Sequence, residues 1–140
     1  MEIDNISLVK QAIEARKRAY TPYSHFAVGA ALLCADGTVY GGANLENAAY
    51  TPSNCAERTA FFRAVFDGHR DFKAIAIVGG PEDEPISSIC APCGVCRQVM
   101  MEWCDPATFQ IILAADAEHP QVHTLAEMLP AGFGPSDLGK

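Results

Sequence analysis

A chain of 140 residues that is 49% hydrophobic and 19% charged can bury one substantial core but is short for two, so we read a single domain over residues 1–140. Its 17 acidic against 10 basic residues leave a formal charge of −7, and no Lys/Arg run or aromatic-basic stripe appears, which argues against a nucleic-acid partner. Met1-Glu2-Ile3-Asp4 is acidic where a secretion signal is basic, and the apolar run over residues 26–35 is too short to cross a bilayer, so the expected location is cytoplasmic with no membrane partner.

In chain order, residues 6–19 place Ile6, Val9, Ala12, Ile13 and Ala19 at roughly helical spacing, which predicts an amphipathic helix. Pro22 restrains Thr21 away from the helical region, so residues 20–25 form a loop. Residues 26–34 and 39–43 read as two strands of a β-hairpin around the turn Ala35-Asp36-Gly37-Thr38. Gly29, Gly41 and Gly42 weaken these strands and suggest that another backbone comes close. After the polar run Asn44-Leu45-Glu46-Asn47, a helix is predicted over residues 55–66, closed by Asp67-Gly68. Residues 73–78 suit a buried central strand, residues 81–88 a polar loop, and a helix follows from Pro92 or Cys93 to Cys104, stopped by Asp105-Pro106. Residues 109–114 are the last clear strand, with a short helix over residues 124–129 and a Gly/Pro-containing tail beyond. This order predicts a layered α/β domain with helices on both faces of a mixed sheet, and right-handed crossovers put the N-termini of the second and third helices at one sheet edge.

That edge is where the chemistry gathers. Six cysteines in a chain without a secretion signal point to metal or catalytic use more than to disulfides. Cys93 and Cys96 lie one turn apart at a helix start, and Cys55 opens the other helix. Helix N-termini favour thiolates. Three thiolates leave one vertex of a tetrahedral zinc open, which suits a working metal, and Glu57 stands two residues from the first of them as an acid–base group. The same residues admit a plainer account: Asn54-Cys55-Ala56-Glu57 is also a capping box, with Asn54 as N-cap and Glu57 at the third helical position. Cys34, Cys90 and Cys104 lack partners at ligand spacing and read as core thiols. Two other classes stay open. A structural zinc module would add a fourth ligand such as Cys90, and a dithiol redox protein would use Cys93 and Cys96 alone.

Cys55-Ala56-Glu57-Arg58 and Pro92-Cys93-Gly94-Val95-Cys96-Arg97-Gln98 resemble the paired signature of the small, homotetrameric, zinc-dependent cytidine deaminases. The related zinc-deaminase signature is a general one, with His more usual at the first ligand. Tyr23-Ser24-His25-Phe26-Ala27-Val28-Gly29-Ala30-Ala31-Leu32, Asn44-Leu45-Glu46-Asn47-Ala48-Ala49-Tyr50 and Leu129-Pro130-Ala131-Gly132-Phe133-Gly134-Pro135 are similar to further segments of that family. The resemblance spans nearly the whole chain. Its departures are small: Ala91 where many members carry Ser, and Asn54 where an apolar residue is frequent.

The resemblance implies a three-layer α/β/α fold with a mixed five-stranded sheet, and hydrolytic deamination of cytidine and deoxycytidine to the uracil nucleosides plus ammonia, a reaction of pyrimidine salvage. It implies Zn²⁺ on Cys55, Cys93 and Cys96, with Glu57 as the catalytic proton carrier and Arg58 hydrogen-bonding the sulfurs. For the nucleoside it implies Asn44 and Glu46 on the ribose, Phe26 against the base, Ala56 offering backbone groups to the pyrimidine, and Tyr50 and Phe133 reaching the site of a neighbouring subunit. An aminoacyl-nucleoside or a free base remains an alternative substrate within the same class.

Overall fold

The computed structural model describes residues 2–140; Met1, the first residue of the expected domain, lies outside the described residues. The first helix, α1 (Asn5–Arg16), starts where Asp4 accepts a hydrogen bond from the Ser7 N–H at 3.0 Å. It stops three residues short of the predicted end. Residues 17–19 make only tight i to i−3 turns, because the chain must leave for Tyr20, whose N–H donates to the Asn44 carbonyl and whose carbonyl accepts from the Glu46 N–H. Strands β1 (Phe26–Cys34) and β2 (Val39–Ala43) form the expected hairpin, at the expected boundaries.

Next come α2 (Ala56–Phe66), β3 (Phe72–Pro81), α3 (Gly94–Trp103), β4 (Gln110–Leu113), β5 (Gln121–Thr124) and α4 (Leu125–Met128). The sheet order is β2-β1-β3-β4-β5, with β3 and β4 parallel and the other pairs antiparallel. The mixed five-stranded sheet is thus present. Its fifth strand is the one that periodicity alone does not reveal: Gln121-Val122-His123-Thr124 is a short, part-exposed edge strand with one clear apolar side chain. Strand β3 runs on past the predicted Val78 to Pro81, pairing with Phe26, Ala27 and Val28 of β1. The Arg16 guanidinium holds this extension by donating to the carbonyls of Ala27 at 2.9 Å and Gly80 at 3.0 Å.

Two buried layers flank the sheet. Helix α1 sets Leu8, Val9 and Ala12 against Ala31, Leu33, Ala74, Ala76, Val78 and Ile112 on one face. On the other, α2 and α3 bury Ala56, Ala60, Phe61, Ala64, Cys96 and Met100 against Ala30, Leu32, Ile75, Ile77 and Ile111. Among the described residues no helix is long and apolar enough to cross a membrane.

Two glycines decide how near the helices come. A methyl group at Gly29 would collide with the Ala12 carbonyl of α1, and one at Gly42 would collide with the Ala56 carbonyl and come within 2.6 Å of the Ala60 nitrogen in α2. The expected close backbone approach is therefore real at Gly29 and Gly42, whereas at Gly41 the nearest atom stands at an ordinary 3.4 Å. Because Gly42 touches the first turn of α2, it sets the position of everything that turn carries. We expect Gly42→Ala to lower unfolding free energy by about 1–3 kcal/mol, the usual cost of forcing extra volume into a packed contact. Gly94→Ala, with nothing within 4 Å of the added carbon, should stay within ~0.5 kcal/mol of the parent. Equal urea midpoints for the two variants would contradict this.

Candidate active site

The N-termini of α2 and α3 meet on one face of the sheet, where the first turn of α2 touches Gly42 toward the end at which Phe26 pairs with Pro81. Cys55 is the N-cap of α2 and Cys93 the N-cap of α3, both with extended backbone, and neither has a side-chain capping bond. Their sulfurs remain available to each other. The Cys55 and Cys93 sulfurs stand 3.9 Å apart, those of Cys93 and Cys96 3.5 Å, and all three lie within 4.8 Å of one another. A tetrahedral zinc with Zn–S bonds of ~2.3 Å spaces its sulfurs by about 3.8 Å, so this donor set fits the metal in both chemistry and size. Cys90 is not a member of the group, so among the described residues three sulfurs and not four converge, and one of them, Cys93, is exposed.

Glu57 sits at the second position of α2, 5% exposed. The capping-box account of this residue does not hold. The N-cap is Cys55, the Asn54 N–H donates to the Leu45 carbonyl at 2.9 Å, and the Asn54 side chain donates to the Thr59 hydroxyl at 3.1 Å. Isolated β-bridges at Leu45 pull Asn54 into pairing with the Asn44–Glu46 run and shift the helix start by one residue. Glu57 is thereby turned inward. Burial pushes its carboxyl up to about 7, against the partial relief of its own backbone N–H.

Arg58, the third residue of α2, donates from Nη2 to the Cys55 sulfur at 3.3 Å. Cys55 is drawn down to about 5, first by the hydrogen bond from the Cys96 thiol, with burial opposing and Arg58 adding a bond and a charge. Cys96 moves the other way, because it donates to Cys55 and is buried. Without a metal the trio therefore gathers a negative charge on Cys55 while Cys96 keeps its proton, and a divalent cation would replace that proton. Arg58 Nε is buried without a hydrogen-bond partner.

The remaining expected residues lie around the same end of the sheet. Asn44 bridges into β1, accepting from the Val28 N–H at 2.9 Å and donating to the Phe26 carbonyl at 2.8 Å. The Glu46 carboxylate accepts from the N–H groups of Tyr23 at 3.0 Å and Ser24 at 3.1 Å and from the Ser24 hydroxyl. These bonds, the hydroxyl foremost, hold its pKa below the ordinary glutamate value. Tyr23, Ser24, Glu46, Asn47, Tyr50 and Ser53 line a hollow of about 300 Å³. Phe26 is half-exposed, Tyr50 stands 73% exposed with φ +61° and edge-on to Tyr23, and Ala56 is fully buried. Phe133 is also exposed and does not line this hollow; its carbonyl accepts from Gln98 Nε2 at 2.8 Å. A larger hollow of about 670 Å³ runs along the outer edge of β2 between α1 and α2. It contains none of the thiols.

The family model for the cytidine and deoxycytidylate deaminase zinc-binding region matches residues 3–111. The chain belongs to that family. It is 49% identical over 138 residues to the cytidine deaminase of Sporosarcina psychrophila, covering 97% of this chain and 96% of that one. It is 48% identical to that of Halalkalibacterium halodurans, covering 97% and 98%. Among solved structures, the cytidine deaminase of Burkholderia pseudomallei superposes with a TM-score of 0.84 at 44% identity over 94% of this chain and 100% of that one. The Mycobacterium tuberculosis enzyme gives 0.80 at 36% identity over 95% and 99%.

One positioning group escaped the reading of the sequence. Arg97, immediately after Cys96, donates from Nε to the Pro92 carbonyl at 2.8 Å and from Nη1 to the Met128 carbonyl at 2.6 Å, tying the turn that carries Cys93 to α4. A signal for it existed. A cation in the first turn of a helix opposes the helix dipole, so an arginine there calls for a specific acceptor, at Arg97 and at Arg58 alike.

If Arg58 holds charge on Cys55, then Arg58→Gln in metal-free protein should raise the Cys55 alkylation midpoint by about 1–2 pH units, since charge-assisted hydrogen bonds are worth ~1.5–3 kcal/mol. The sign follows from losing a cation: less thiolate survives at pH 6, so alkylation of the Cys55 peptide, followed by mass spectrometry, should slow there. An unchanged midpoint would remove the arginine from this role.

Proposed function

We propose that this chain catalyses hydrolytic deamination of cytidine and deoxycytidine to the corresponding uracil nucleosides and ammonia, with Cys55, Cys93 and Cys96 as zinc ligands and Glu57 as the catalytic proton carrier. The observation that carries this reading is a buried carboxyl raised to about 7, two residues from a thiol in a three-sulfur cluster whose Cys93 member is exposed. Zinc held by these sulfurs supplies a Lewis acid that lowers the pKa of water from 15.7 toward ~7. The Glu57 carboxylate accepts the proton of the water that attacks C4 of the cytosine ring. As a carboxylic acid it then gives that proton to N3. It takes the second water proton and delivers it to the exocyclic amino group, which leaves as ammonia. Burial suits it to both directions of transfer, since a group with a pKa near the working pH gives and takes protons with similar ease.

Three thiolates on Zn²⁺ leave a net charge of −1, and Arg58 together with the two helix N-termini offsets it. Asn44, Glu46 and Phe26 bind the ribose and base, and Ala56 presents backbone groups to the pyrimidine. Glu46 stays ionised, so it accepts from ribose hydroxyls and repels a 5′-phosphate. A nucleoside therefore fits better than a nucleotide. The enzyme serves pyrimidine salvage in the cytoplasm as a homotetramer, in which Tyr50 and Phe133 complete neighbouring sites. Support for that assembly comes from exposed apolar side chains that a lone chain leaves in water: Phe66 at 92%, with Tyr50, Phe62 and Phe133.

Zinc-loaded protein should convert cytidine, followed by loss of pyrimidine absorbance, and turn over the 5′-monophosphate at least ~10-fold more slowly, a difference of about 1.4 kcal/mol. Glu57→Gln should keep its zinc and its fold while kcat falls by roughly 10²-fold or more. A near-normal rate would reduce Glu57 to a buried core residue. For the assembly, mixing inactive Glu57→Gln with a Phe133→Ala variant of low activity should regain turnover as subunits exchange. Simple additivity of the two rates would mean that Phe133 serves its own chain.

A further inference from the structure

A second set of donors converges at the opposite end of the sheet. Cys34 closes β1, Asp36 lies in the β1–β2 turn and His69 follows α2. Cys34 Sγ, an Asp36 carboxylate oxygen and a His69 ring nitrogen lie within 4.8 Å of one another, with His69 Nδ1 3.9 Å from Asp36 Oδ2. Cys34 pairs with Phe72 at the start of β3, whereas the first turn of α2, next to Cys55, touches Gly42, which lies level with Ala30 and Ile77 farther along the sheet. The whole of α2, ~16 Å at 1.5 Å per residue, separates Cys55 from His69.

Each donor is held by its own backbone. Asp36 Oδ1 accepts from the Thr38 N–H at 2.9 Å, which leaves Oδ2 toward the histidine. The turn is tightened by the Gly37 N–H to the Cys34 carbonyl at 3.0 Å and the Cys34 N–H to the Thr38 carbonyl at 2.8 Å, with Gly37 at φ +95°. The His69 N–H donates to the Ala64 carbonyl at 3.0 Å, and its ring stands edge-on to Tyr40, centroids 5.4 Å apart. The thiol forms a buried floor, and the carboxylate and imidazole form a rim that solvent can reach.

We propose that Cys34, Asp36 and His69 form a second divalent-cation site of the zinc class, separate from the deaminase centre. One sulfur, one nitrogen and one oxygen donor, with a fourth position facing solvent, suit Zn²⁺ or Co²⁺ and disfavour Ca²⁺ or Mg²⁺, which take oxygen ligands. Burial pushes the Cys34 thiol up to about 11, so the cation binds by displacing that proton to solvent. Once bound, it clips the β1–β2 turn to the end of α2. The site does not depend on the deaminase reading.

The test is metal stoichiometry. The full chain is saturated with Zn²⁺ and desalted, and zinc is measured per chain by atomic emission; a parallel Co²⁺ titration is followed by its thiolate-to-metal absorption. The expected result is about two equivalents in the parent and about one in His69→Gln and Asp36→Asn, with the deaminase thiols still loaded. The second cobalt equivalent should add thiolate absorption about one third as strong as the first, matching one sulfur against three. His69 and Asp36 are outside the core clusters, so these variants should fold even where Cys34→Ser does not. A parent that saturates at about one equivalent, with that equivalent retained in His69→Gln, overturns the proposal; one equivalent that His69→Gln loses would leave this site standing and remove the metal from the three-thiol cluster. So does a second equivalent that survives in His69→Gln, or one that adds no thiolate absorption.

Discussion

The structure depends on the charge that three sulfurs share at the meeting of two helix starts. Cys55 and Cys93 occupy N-cap positions, where an oxygen side chain usually satisfies the free N–H groups, yet neither makes a capping bond. Their sulfurs turn instead to Cys96 and to each other. The positive ends of α2 and α3 and the Arg58 guanidinium supply the compensating field. Glu57, buried in the same place, feels the opposite pressure, since burial and a nearby thiolate both raise its pKa. A carboxyl raised toward neutrality and a thiol held well below its ordinary value thus arise within three residues of one helix turn.

The fold makes that meeting possible through close approach. Gly29 admits α1 against β1, Gly42 admits the first turn of α2 against β2, and the small residues Ala56 and Ala60 complete the contact. Arg16 and Arg97 bind backbone carbonyls at either side of the β3–α3 connection, one on Gly80 and one on Pro92. The loop that delivers Cys93 is therefore fastened at both ends. Around it, Asn44 and Glu46 satisfy backbone groups of residues 23–28, so their side chains shape the loop that precedes and opens β1.

Much of this was legible in the residues. The hairpin over residues 26–43 follows from an apolar run, an Asp-Gly turn and a second β-rich run, each a local property. The thiol pair Cys93 and Cys96 follows from helical geometry alone. What failed did so for physical reasons. The first helix ends early because Tyr20 pairs with a segment 24 and more residues away in the chain, as its bonds to Asn44 and Glu46 show. The fifth strand, β5, carries no signal of its own because an exposed edge strand needs only one apolar contact.

By itself the sequence determined the donor types, the one-turn spacing of Cys93 and Cys96, the order of the four α-helices and the first four strands, and the acidic net charge, all of which depend on composition or on residues near one another in the chain. Only the tertiary structure decided that Glu57 is a buried acid and not a helix cap. The capping box requires Asn54 to begin the helix, and nothing local forbids it. Long-range pairing of Asn54 with Leu45 takes that residue out of contention, moves the N-cap to Cys55 and turns the carboxyl inward. A hydrogen bond between segments nine residues apart thus chose between two roles that the local pattern allowed equally.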